Sequence, residues 1–433
     1  MTVLFSYCIA HKIQIYLRSN ISHFTENKVF IRSKRKNMNN FVQYTPTRVV
    51  FGKGTEMQAG SLIKADGGSR VFVVYGGGSA VKSGLLDRVT KSIEDAGLTA
   101  KTFGGVKPNP TLAHAEEGVR QAVEFGADYI LGVGGGSVID TAKAIAHGTS
   151  HPDAALWDIW YKKVKITDSL PVACVLTIAA AGSEMSADAV LTNEENGKKK
   201  GFGTELNRCR FSIMNPELLP SVPDYYFFAG VADIMMHTME RYFIPGIKCD
   251  LTDEIAEGLL RTVIKNARIV KENRSDYDAN AEIMWAGALS HNDLTECGRG
   301  KDFSVHKLGQ QMGGMFDLVH GATVTAVWSA WAAYLYKDCP SRFSRYARKV
   351  WGVTEEDDLK ASEEGIRRTV AFFREIGMPV SIREMGITPS EEELDQLSLE
   401  ASYFKTITIT KIKPVDYEGI KEMYHMAMDG VEV

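Results

Sequence analysis

Residues 128–140 of the chain read DYILGVGGGSVID. The first half of this stretch is a short and almost wholly apolar run, which is typical of a strand buried on both faces of a parallel sheet. Three consecutive glycines then lead into a segment with helical spacing, and such a turn exposes backbone amides at a helix N-terminus. The stretch therefore predicts a strand, a turn suited to phosphate and a helix.

The same alternation extends on both sides, over about residues 48–215. We expect further strands at residues 70–75, 98–103 and 171–177. We also expect a helix that begins at the first glycine run of the chain, residues 76–79, and ends at about residue 96; residues 134–137 are the second glycine run. Strands alternating with helices predict a parallel sheet with helices on both faces. This half of the chain is expected to be a Rossmann-like α/β domain over residues 38–220.

After residue 223 the β pattern fades, and helical periodicity continues to the C-terminus. The expected helices are residues 224–242, 250–271, 277–289, 303–311, 322–336, 341–351, 359–376 and 417–428. We therefore predict an all-helical second domain over residues 221–433.

The composition favours a globular protein that acts on a small molecule. The chain has 433 residues, 44% of them hydrophobic, and a net charge of −4, which provides no basic field for nucleic acid or an anionic membrane. Apolar runs are too short to span a bilayer. Six scattered cysteines without a CxxC pair indicate reduced thiols and no disulfides, so we expect a cytoplasmic protein.

Residues 1–37 differ from the remainder of the chain. Their apolar residues are interrupted by polar ones and no cleavage site follows, so a secretory signal is disfavoured. The basic run at 32–36 fits a solvated tail better than a nuclear signal. We expect a disordered extension that arises from upstream translation.

The two glycine runs are candidate cofactor-binding turns, because turns after parallel strands meet at one edge of the sheet. The candidates are Gly76, Gly77, Gly78, Ser79, Gly135, Gly136 and Ser137. Neither run has the full GxGxxG spacing, so a purely structural turn stays possible for each. Asp140 either caps its helix or binds a ribose hydroxyl, and Asn109, between two prolines, forms a rigid turn or donates into the same cleft.

Four residues of the second half form a candidate metal site. Asp233 and His237 are one helical turn apart, and His306 and His320 flank a glycine-containing connection. The first pair alone would also fit a surface pair, but its apolar neighbours indicate burial, where an unpaired carboxylate is costly. Three imidazoles and one carboxylate suit iron or zinc, and a vacant position lets the metal polarise a substrate oxygen.

These motifs resemble the iron-containing (group III) alcohol dehydrogenases, in the branch of butanol dehydrogenases and aldehyde reductases. The resemblance rests on PNP at 108–110, GGGSVID at 134–140, GSE at 182–184, GVADIMMH at 230–237 and the segment from His306 to His320. It implies the dehydroquinate synthase-like architecture, with catalysis in a cleft between the two domains.

By position, the resemblance implies that Asp233, His237, His306 and His320 bind Fe²⁺, or Zn²⁺ as in some relatives. The second glycine run would hold the pyrophosphate, with Asp140 and Asn109 nearby. Thr177 would lie on the nicotinamide side. Lys199 would contact the cofactor, although Lys198 and Lys200 leave this position uncertain by one residue.

Two positions depart from the family pattern. Gln310 stands where many relatives have a second histidine, so proton relay through that imidazole is lost. Ala181 replaces a threonine that contacts the cofactor in related aldehyde reductases. Relatives that prefer NAD(H) tend to place an acidic residue after the first strand, where this chain has Gly76, so NADP(H) is expected to be preferred, with NAD(H) possible.

The expected reaction is hydride transfer between NADPH and a small aliphatic aldehyde, such as butanal, or the reverse reaction of its alcohol. A homodimer is expected. Two alternatives remain at this point. A dehydroquinate synthase-like lyase would need a basic cluster for a phosphate, and only Lys301 and Lys307 lie near His306. A nucleotide sensor without enzymatic activity would have no need of metal ligands.

Overall fold

The computed structural model of the chain describes residues 37–433, of which residues 38–433 form one compact unit. The predicted N-terminal extension, with its basic run and Cys8, lies outside the described residues except for Asn37. The other five cysteines are free and buried. Within the described part of the chain, no helix is both long and apolar enough to cross a membrane.

The described part of the first half contains eight strands. They are β1 (Arg48–Phe51), β2 (Arg70–Gly76), β3 (Thr99–Val106), β4 (Tyr129–Gly134), β5 (Val172–Leu176), β6 (Asp188–Asn193), β7 (Lys198–Gly203) and β8 (Phe211–Met214). Six of them form a parallel sheet in the order β1-β8-β5-β4-β2-β3, whereas β6 and β7 form an antiparallel hairpin. The predicted Rossmann-like α/β fold is confirmed.

Six helices accompany these strands. They are α1 (Ala59–Ala65), α2 (Ser79–Lys82), α3 (Leu85–Asp95), α4 (Leu112–Phe125), α5 (Gly136–Ser150) and α6 (Leu156–Trp160). The prediction of one continuous helix after the first glycine run was wrong. Gly84 adopts a φ of 68°, in the left-handed region that glycine tolerates, and this turn separates α2 from α3.

Both glycine runs lie at the point where the strand order reverses. The chain passes from β2 to β3 on one side, and then crosses to β4 on the other side of β2. The crevice outside the carboxyl ends of two such strands is where ligands bind in open α/β sheets. Residues 76–79 follow β2 and residues 134–137 follow β4, so both runs border this crevice.

The second half is helical, as predicted. Its helices are α7 (Asp224–Tyr242), α8 (Asp250–Glu272), α9 (Tyr277–Ser290), α10 (Ser304–Phe316), α11 (His320–Leu335), α12 (Pro340–Trp351), α13 (Asp358–Glu375), α14 (Glu391–Ala401) and α15 (Tyr417–Asp429). The helix α14 was not predicted from the sequence.

The helix with His306 does not end at Gly313 and Gly314, as the sequence had suggested, but continues to Phe316. An earlier glycine of the same helix brings it close to α11. A Cβ atom at Gly309 would lie 2.9 Å from Cγ1 of Val324 on α11, so α10 uses glycine to approach its neighbour closely. Asp317, with a φ of 50°, then reverses the chain toward α11.

The two halves share a hydrophobic core. Alternate residues of β2 face opposite sides of the sheet, and Val71 and Val73 pack toward α1 and α3. Phe72 and Val74 belong to the large cluster on the other side, which also contains Met235 of α7 and the apolar residues of the later helices. The helical half is therefore packed against one face of the α/β layer.

Candidate metal centre and cofactor cleft

The four predicted metal ligands come together around one carboxylate oxygen. Oδ1 of Asp233 lies 3.7 Å from Nδ1 of His237, 3.4 Å from Nε2 of His306 and 3.6 Å from Nε2 of His320. Donor atoms of Asp233, His306 and His320 all lie within 4.8 Å of one another. His237 is outside that mutual group, although its ring stacks on the His306 ring with centroids 4.4 Å apart.

The geometry of α7 explains half of this arrangement. Residues separated by four and then three positions lie on one face of a helix, and Asp233, His237 and Glu240 have this spacing. The helix is buried on nearly every side, so all three polar side chains lie inside the protein. Burial of two carboxylates and an imidazole on one face is costly unless other groups compensate their charges.

The buried charge of Glu240 is compensated by donors at the start of α10. Its carboxylate accepts hydrogen bonds from Nδ1 of His306 and from the backbone amides of Val305 and His306, at the start of α10. Metal-binding histidines commonly donate their second ring nitrogen to a carboxylate, which fixes the ring orientation. Glu240 therefore turns Nε2 of His306 toward Asp233, a role that was not predicted from the sequence.

The electrostatics of the site favour a cation. Burial alone would raise the pKa of Asp233, but the imidazoles of His320 and His306 hold it below its usual value. Burial lowers the pKa of His320 to about 3 and that of His237 well below its usual value, so both rings are neutral near pH 7. Burial would also lower the pKa of His306, but Glu240 and Asp233 raise it to about 9.

The donor set fits a divalent metal. Among the described residues, Oδ1 of Asp233, Nδ1 of His237 and Nε2 of His306 have no hydrogen-bond partner although all are buried. Buried polar atoms without partners are rare, and here they converge on one point. Ionised Asp233 and neutral His237 and His320 already have the ligand forms that iron and zinc require. His306, with a pKa of about 9, would release a proton from Nε2 on binding, so these residues would hold such an ion.

The second glycine run forms a closely packed turn below the cleft. A Cβ atom at Gly135 would lie 2.2 Å from Cγ2 of Ile178, and one at Gly136 would lie 3.3 Å from Cβ of Ala181. The backbone amide of Thr177, just after β5, donates to the carbonyl of Gly134. Thr177 thus lies beside the N-terminus of α5, where backbone amides attract phosphate.

The first glycine run is more open. A Cβ atom at Gly77 would meet no other group within 4 Å, and one at Gly78 would lie 4.0 Å from Cε of Lys82. Gly76 ends β2 and Ser79 begins α2. The two runs together border a glycine-lined crevice that suits a dinucleotide.

Four polar residues connect the α/β half to the helical half. Nζ of Lys199 donates to Oδ1 of Asn109 at 2.9 Å, and Nδ2 of Asn109 donates to Oδ1 of Asp317 at 3.0 Å. Nε2 of Gln310, one turn after His306, donates to the backbone carbonyl of Lys199 at 3.1 Å. Of the neighbouring hairpin lysines, Lys199 contacts Asn109, whereas Lys200 lies over the Tyr161 ring. The binding of cofactor by Lys199 stays a prediction.

Asp140 has partners within the protein. Its Oδ1 accepts a hydrogen bond from Oγ of Ser183, and its Oδ2 accepts one from the backbone amide of Val190. The residue that caps the helix is Gly135, so the helix-cap interpretation of Asp140 was wrong. These bonds connect α5 to the GSE turn and to β6; ribose binding by Asp140 stays a prediction.

Two further polar residues of the site were missed. Lys143 is fully buried and donates to backbone carbonyls of Ser183 and Asp188, which holds the GSE turn in place. His291, which no sequence motif marks, is only 7% exposed and packs against His237. Nothing in the local sequence indicated this, because the contact joins residues 54 positions apart.

Family models match both halves of the chain. The model described as iron-containing alcohol dehydrogenase matches residues 46–216. The model for the C-terminal part of the Fe-containing alcohol dehydrogenase family matches residues 227–428. The two matches fall on the predicted α/β and helical parts, while the domain boundary near residue 220 stays a prediction.

Individual relatives agree with the family models. The chain is 36% identical to NADH-dependent butanol dehydrogenase A of Clostridium acetobutylicum, covering 88% of this chain and 97% of that protein. It is 33% identical to NADPH-dependent aldehyde reductase YqhD of Escherichia coli, covering 82% and 91%. The crystal structure of NADH-dependent butanol dehydrogenase A from Thermotoga maritima superposes with a TM-score of 0.86 at 34% identity, covering 90% and 99%.

These matches cover nearly all of the described chain and agree with the donor set around Asp233 and the glycine-lined crevice. The protein is accordingly an NAD(P)-dependent oxidoreductase. It belongs to the iron-containing alcohol dehydrogenase family, in the branch of butanol dehydrogenases and aldehyde reductases.

Proposed function

We propose that the protein interconverts small aliphatic aldehydes, such as butanal, and their primary alcohols. The observation that carries this proposal is the convergence of three imidazole nitrogens on Oδ1 of Asp233, at 3.4 to 3.7 Å. When bound, a divalent metal would polarise the carbonyl of the aldehyde, and reduced nicotinamide would supply the hydride. The names of the butanol dehydrogenase relatives support the choice of substrate class.

The residues of the chain divide into those that bind the metal and those that bind the cofactor. Asp233, His237, His306 and His320 are proposed to bind the metal, with Glu240 orienting His306. The glycine runs are proposed to bind the dinucleotide phosphates, with Thr177 toward the nicotinamide. Asn109 and Lys199 are proposed to close the cleft over the cofactor, because their hydrogen bonds reach Asp317 of the helical half.

The cofactor is proposed to be NADPH in preference to NADH. Relatives of both kinds exist, since the butanol dehydrogenases are named NADH-dependent and the aldehyde reductase NADPH-dependent. The first glycine run supports NADPH, because no carboxylate follows β2 to repel a 2′-phosphate. Lys82, which approaches Gly78, adds a positive charge there.

Steady-state kinetics with both cofactors test this preference. We expect a higher kcat/KM for NADPH, and Lys82→Ala is expected to lower kcat/KM for NADPH while that for NADH changes little. The matched control is Lys91→Ala, which removes another exposed lysine, one that pairs with Asp95 on α3. A preference for NADH of about tenfold or more in kcat/KM would contradict the proposal.

The metal is proposed to be Fe²⁺, with Zn²⁺ as the other ion that the same ligands accept. Elemental analysis of protein purified without oxygen identifies the ion. An aldehyde series from ethanal to octanal, assayed with that protein and NADPH, then identifies the preferred chain length. A dehydroquinate synthase-like lyase would consume no NADPH with butanal, and neither would a nucleotide sensor, so the same assay separates the three functions.

We further propose a homodimer in the cytoplasm. β1 is an edge strand of the sheet, and the segment before it exposes three apolar side chains, Phe41, Val42 and Tyr44. Val42 is 90% exposed. An exposed sheet edge with apolar side chains is a surface that a second copy can cover. The free, buried cysteines fit a reducing compartment. Sedimentation analysis measures the oligomeric state; a monomer at micromolar concentration would contradict the dimer.

A further inference from the structure

His291 lies directly behind the candidate metal site. It follows α9, and its ring centroid is 4.2 Å from that of His237, with the two rings inclined by 71°. The ring of Phe303 packs against both imidazoles, with its centroid 5.8 Å from that of His291 and 6.0 Å from that of His237. His291 therefore belongs to a cluster of three rings with a proposed metal ligand and the residue that precedes α10, the helix of His306.

The contact between the two imidazoles is a packing contact. An in-plane hydrogen bond between two ring nitrogens would place the ring centroids about 5 Å apart, since each nitrogen lies about 1 Å from its ring centre and the bond itself is about 3 Å. The observed separation is shorter and the rings are strongly inclined, so the edge of one ring rests on the face of the other.

The surroundings of His291 fix its position. Nε2 of His291 is 3.4 Å from Oδ2 of Asp188, at the start of β6, and Nζ of Lys301 lies 4.0 Å from the same oxygen. On the backbone side, Gly182 approaches so closely that a Cβ atom there would lie 2.6 Å from Cβ of His291. The imidazole is thus anchored to the α/β half although it belongs to the helical half.

His237 depends on such packing more than His306 does. Glu240 orients His306 by a hydrogen bond to Nδ1, the ring nitrogen that faces away from Asp233. Within residues 37–433, neither ring nitrogen of His237 has such a partner. Ring contacts with His291 and His306 therefore limit the rotation of His237. Without the His291 ring, the side chain of His237 would be free to turn away from Asp233.

We propose that His291, anchored by Asp188, is a positioning residue for His237 and thereby sets how tightly the site holds its metal ion. The inference rests on the proposed metal site. It extends that site beyond the four ligands, because the anchor comes from the β6–β7 hairpin that also carries Lys199. The orientation of a metal ligand is thus coupled to a segment that borders the cofactor crevice.

Cobalt binding to the full-length protein tests the proposal independently of activity. The metal-stripped protein is titrated with Co²⁺ against a competing chelator, and its visible absorption spectrum is recorded. His291→Ala is expected to weaken Co²⁺ binding about ten- to hundredfold, as is typical for residues that orient a metal ligand, and to shift the absorption bands. His291→Phe, which restores a ring but not the bond to Asp188, is expected to bind Co²⁺ only about three- to tenfold more weakly than the wild type.

Two controls make the outcomes distinct. His425→Ala removes a histidine that pairs with Glu391 at the surface and is expected to leave Co²⁺ binding unchanged. Thermal unfolding of each metal-free variant separates loss of folding from loss of coordination. If His291→Ala does not fold, Asp188→Asn is used instead, with an expected loss of about three- to tenfold.

The outcomes that overturn the proposal are wild-type affinity and spectrum in His291→Ala, or in Asp188→Asn if that variant is needed. Binding by His291→Phe as weak as that by His291→Ala would also overturn it, because the ring would not be the determinant. Failure of the wild type to bind Co²⁺ would instead contradict the proposed metal site itself.

Discussion

Glu240 accepts a hydrogen bond from Nδ1 of His306, so a carboxylate on α7 orients an imidazole on α10. The same carboxylate accepts hydrogen bonds from the backbone amides of Val305 and His306, and Glu240 is only 1% exposed. One buried side chain therefore fixes both the start of α10 and the direction of a proposed metal ligand.

Replacement of Glu240 tests this relationship. Glu240→Gln retains an acceptor oxygen but removes the charge, and we expect about tenfold weaker metal binding, since residues that support ligands have effects of this size. Glu240→Ala is also expected to destabilise the fold by about 1 to 3 kcal/mol, because it leaves buried donors unpaired. Chelator competition and denaturant unfolding measure the two effects. Glu418→Gln, on the exposed surface of α15, serves as the control. Metal affinities equal to that of the wild type in all three variants would contradict the assigned role of Glu240.

Lys199 and Lys198 provide a matched pair for the cofactor cleft. Lys199 donates to Asn109, whereas its neighbour Lys198 is exposed. Lys199→Ala is expected to raise KM for NADPH about tenfold, the loss expected for one charge-assisted hydrogen bond, while Lys198→Ala stays within about twofold of the wild type. KM is measured at saturating butanal. Similar KM values in the two variants would show that the lysine at the cleft has been misassigned.

The two glycine runs are expected to respond differently to alanine. At Gly135 the added Cβ atom would collide with Ile178, so Gly135→Ala is expected to destabilise the fold by about 1 to 3 kcal/mol. At Gly77 the space is open, so Gly77→Ala should retain its thermal stability and lose affinity only for the cofactor. Thermal unfolding and NADPH fluorescence titration measure these quantities. Unchanged NADPH affinity in Gly77→Ala would exclude the first run from the cofactor site.

Glu184, in the GSE turn, is expected to make stability depend on pH. Burial raises its pKa from 4.5 to about 7, so the folded protein holds this proton more tightly than the unfolded chain does. The resulting stabilisation is complete below about pH 4.5 and is lost as the pH rises through about 7. A pKa difference of this size corresponds to about 3 kcal/mol in the free energy of unfolding.

The variant Glu184→Gln cannot ionise and therefore isolates this contribution. Its free energy of unfolding is expected to match that of the wild type near pH 5 and to exceed it at pH 8. Urea unfolding at both pH values gives the comparison, with Glu94→Gln on the exposed face of α3 as the control. If the free energies of unfolding of Glu184→Gln and the wild type differ by the same amount at both pH values, the raised pKa of Glu184 is ruled out.

The elements that could be predicted from the sequence are those with strong local patterns. The apolar run of β4 and the glycines after it identify the α/β half, and the nearly continuous apolar face of α7 gives its limits correctly. The helix α14 was missed although its start carries a capping box, in which Ser390 and Glu393 satisfy each other's backbone amides. That signal was present in the sequence and indicates the helix.

Two other features had no local signal, whereas a third, Glu240, had one that was not used. The continuation of α10 through Gly313 and Gly314 depends on packing against α11, which the sequence does not show. Glu240 shares a helical face with Asp233 and His237, so its spacing would have pointed to it. His291 is close to the metal site only because the chain folds back on itself, and no spacing rule indicates such a contact.

The central claim is that one metal ion, held around Asp233, is required for aldehyde reduction. The most direct measurement follows NADPH oxidation with butanal, under anaerobic conditions, while metal-stripped protein is titrated with Fe²⁺. We predict that stripping abolishes turnover and that activity returns to a plateau at about one Fe²⁺ per chain, as expected for a single Lewis-acid site. Full activity in the stripped protein would contradict the account.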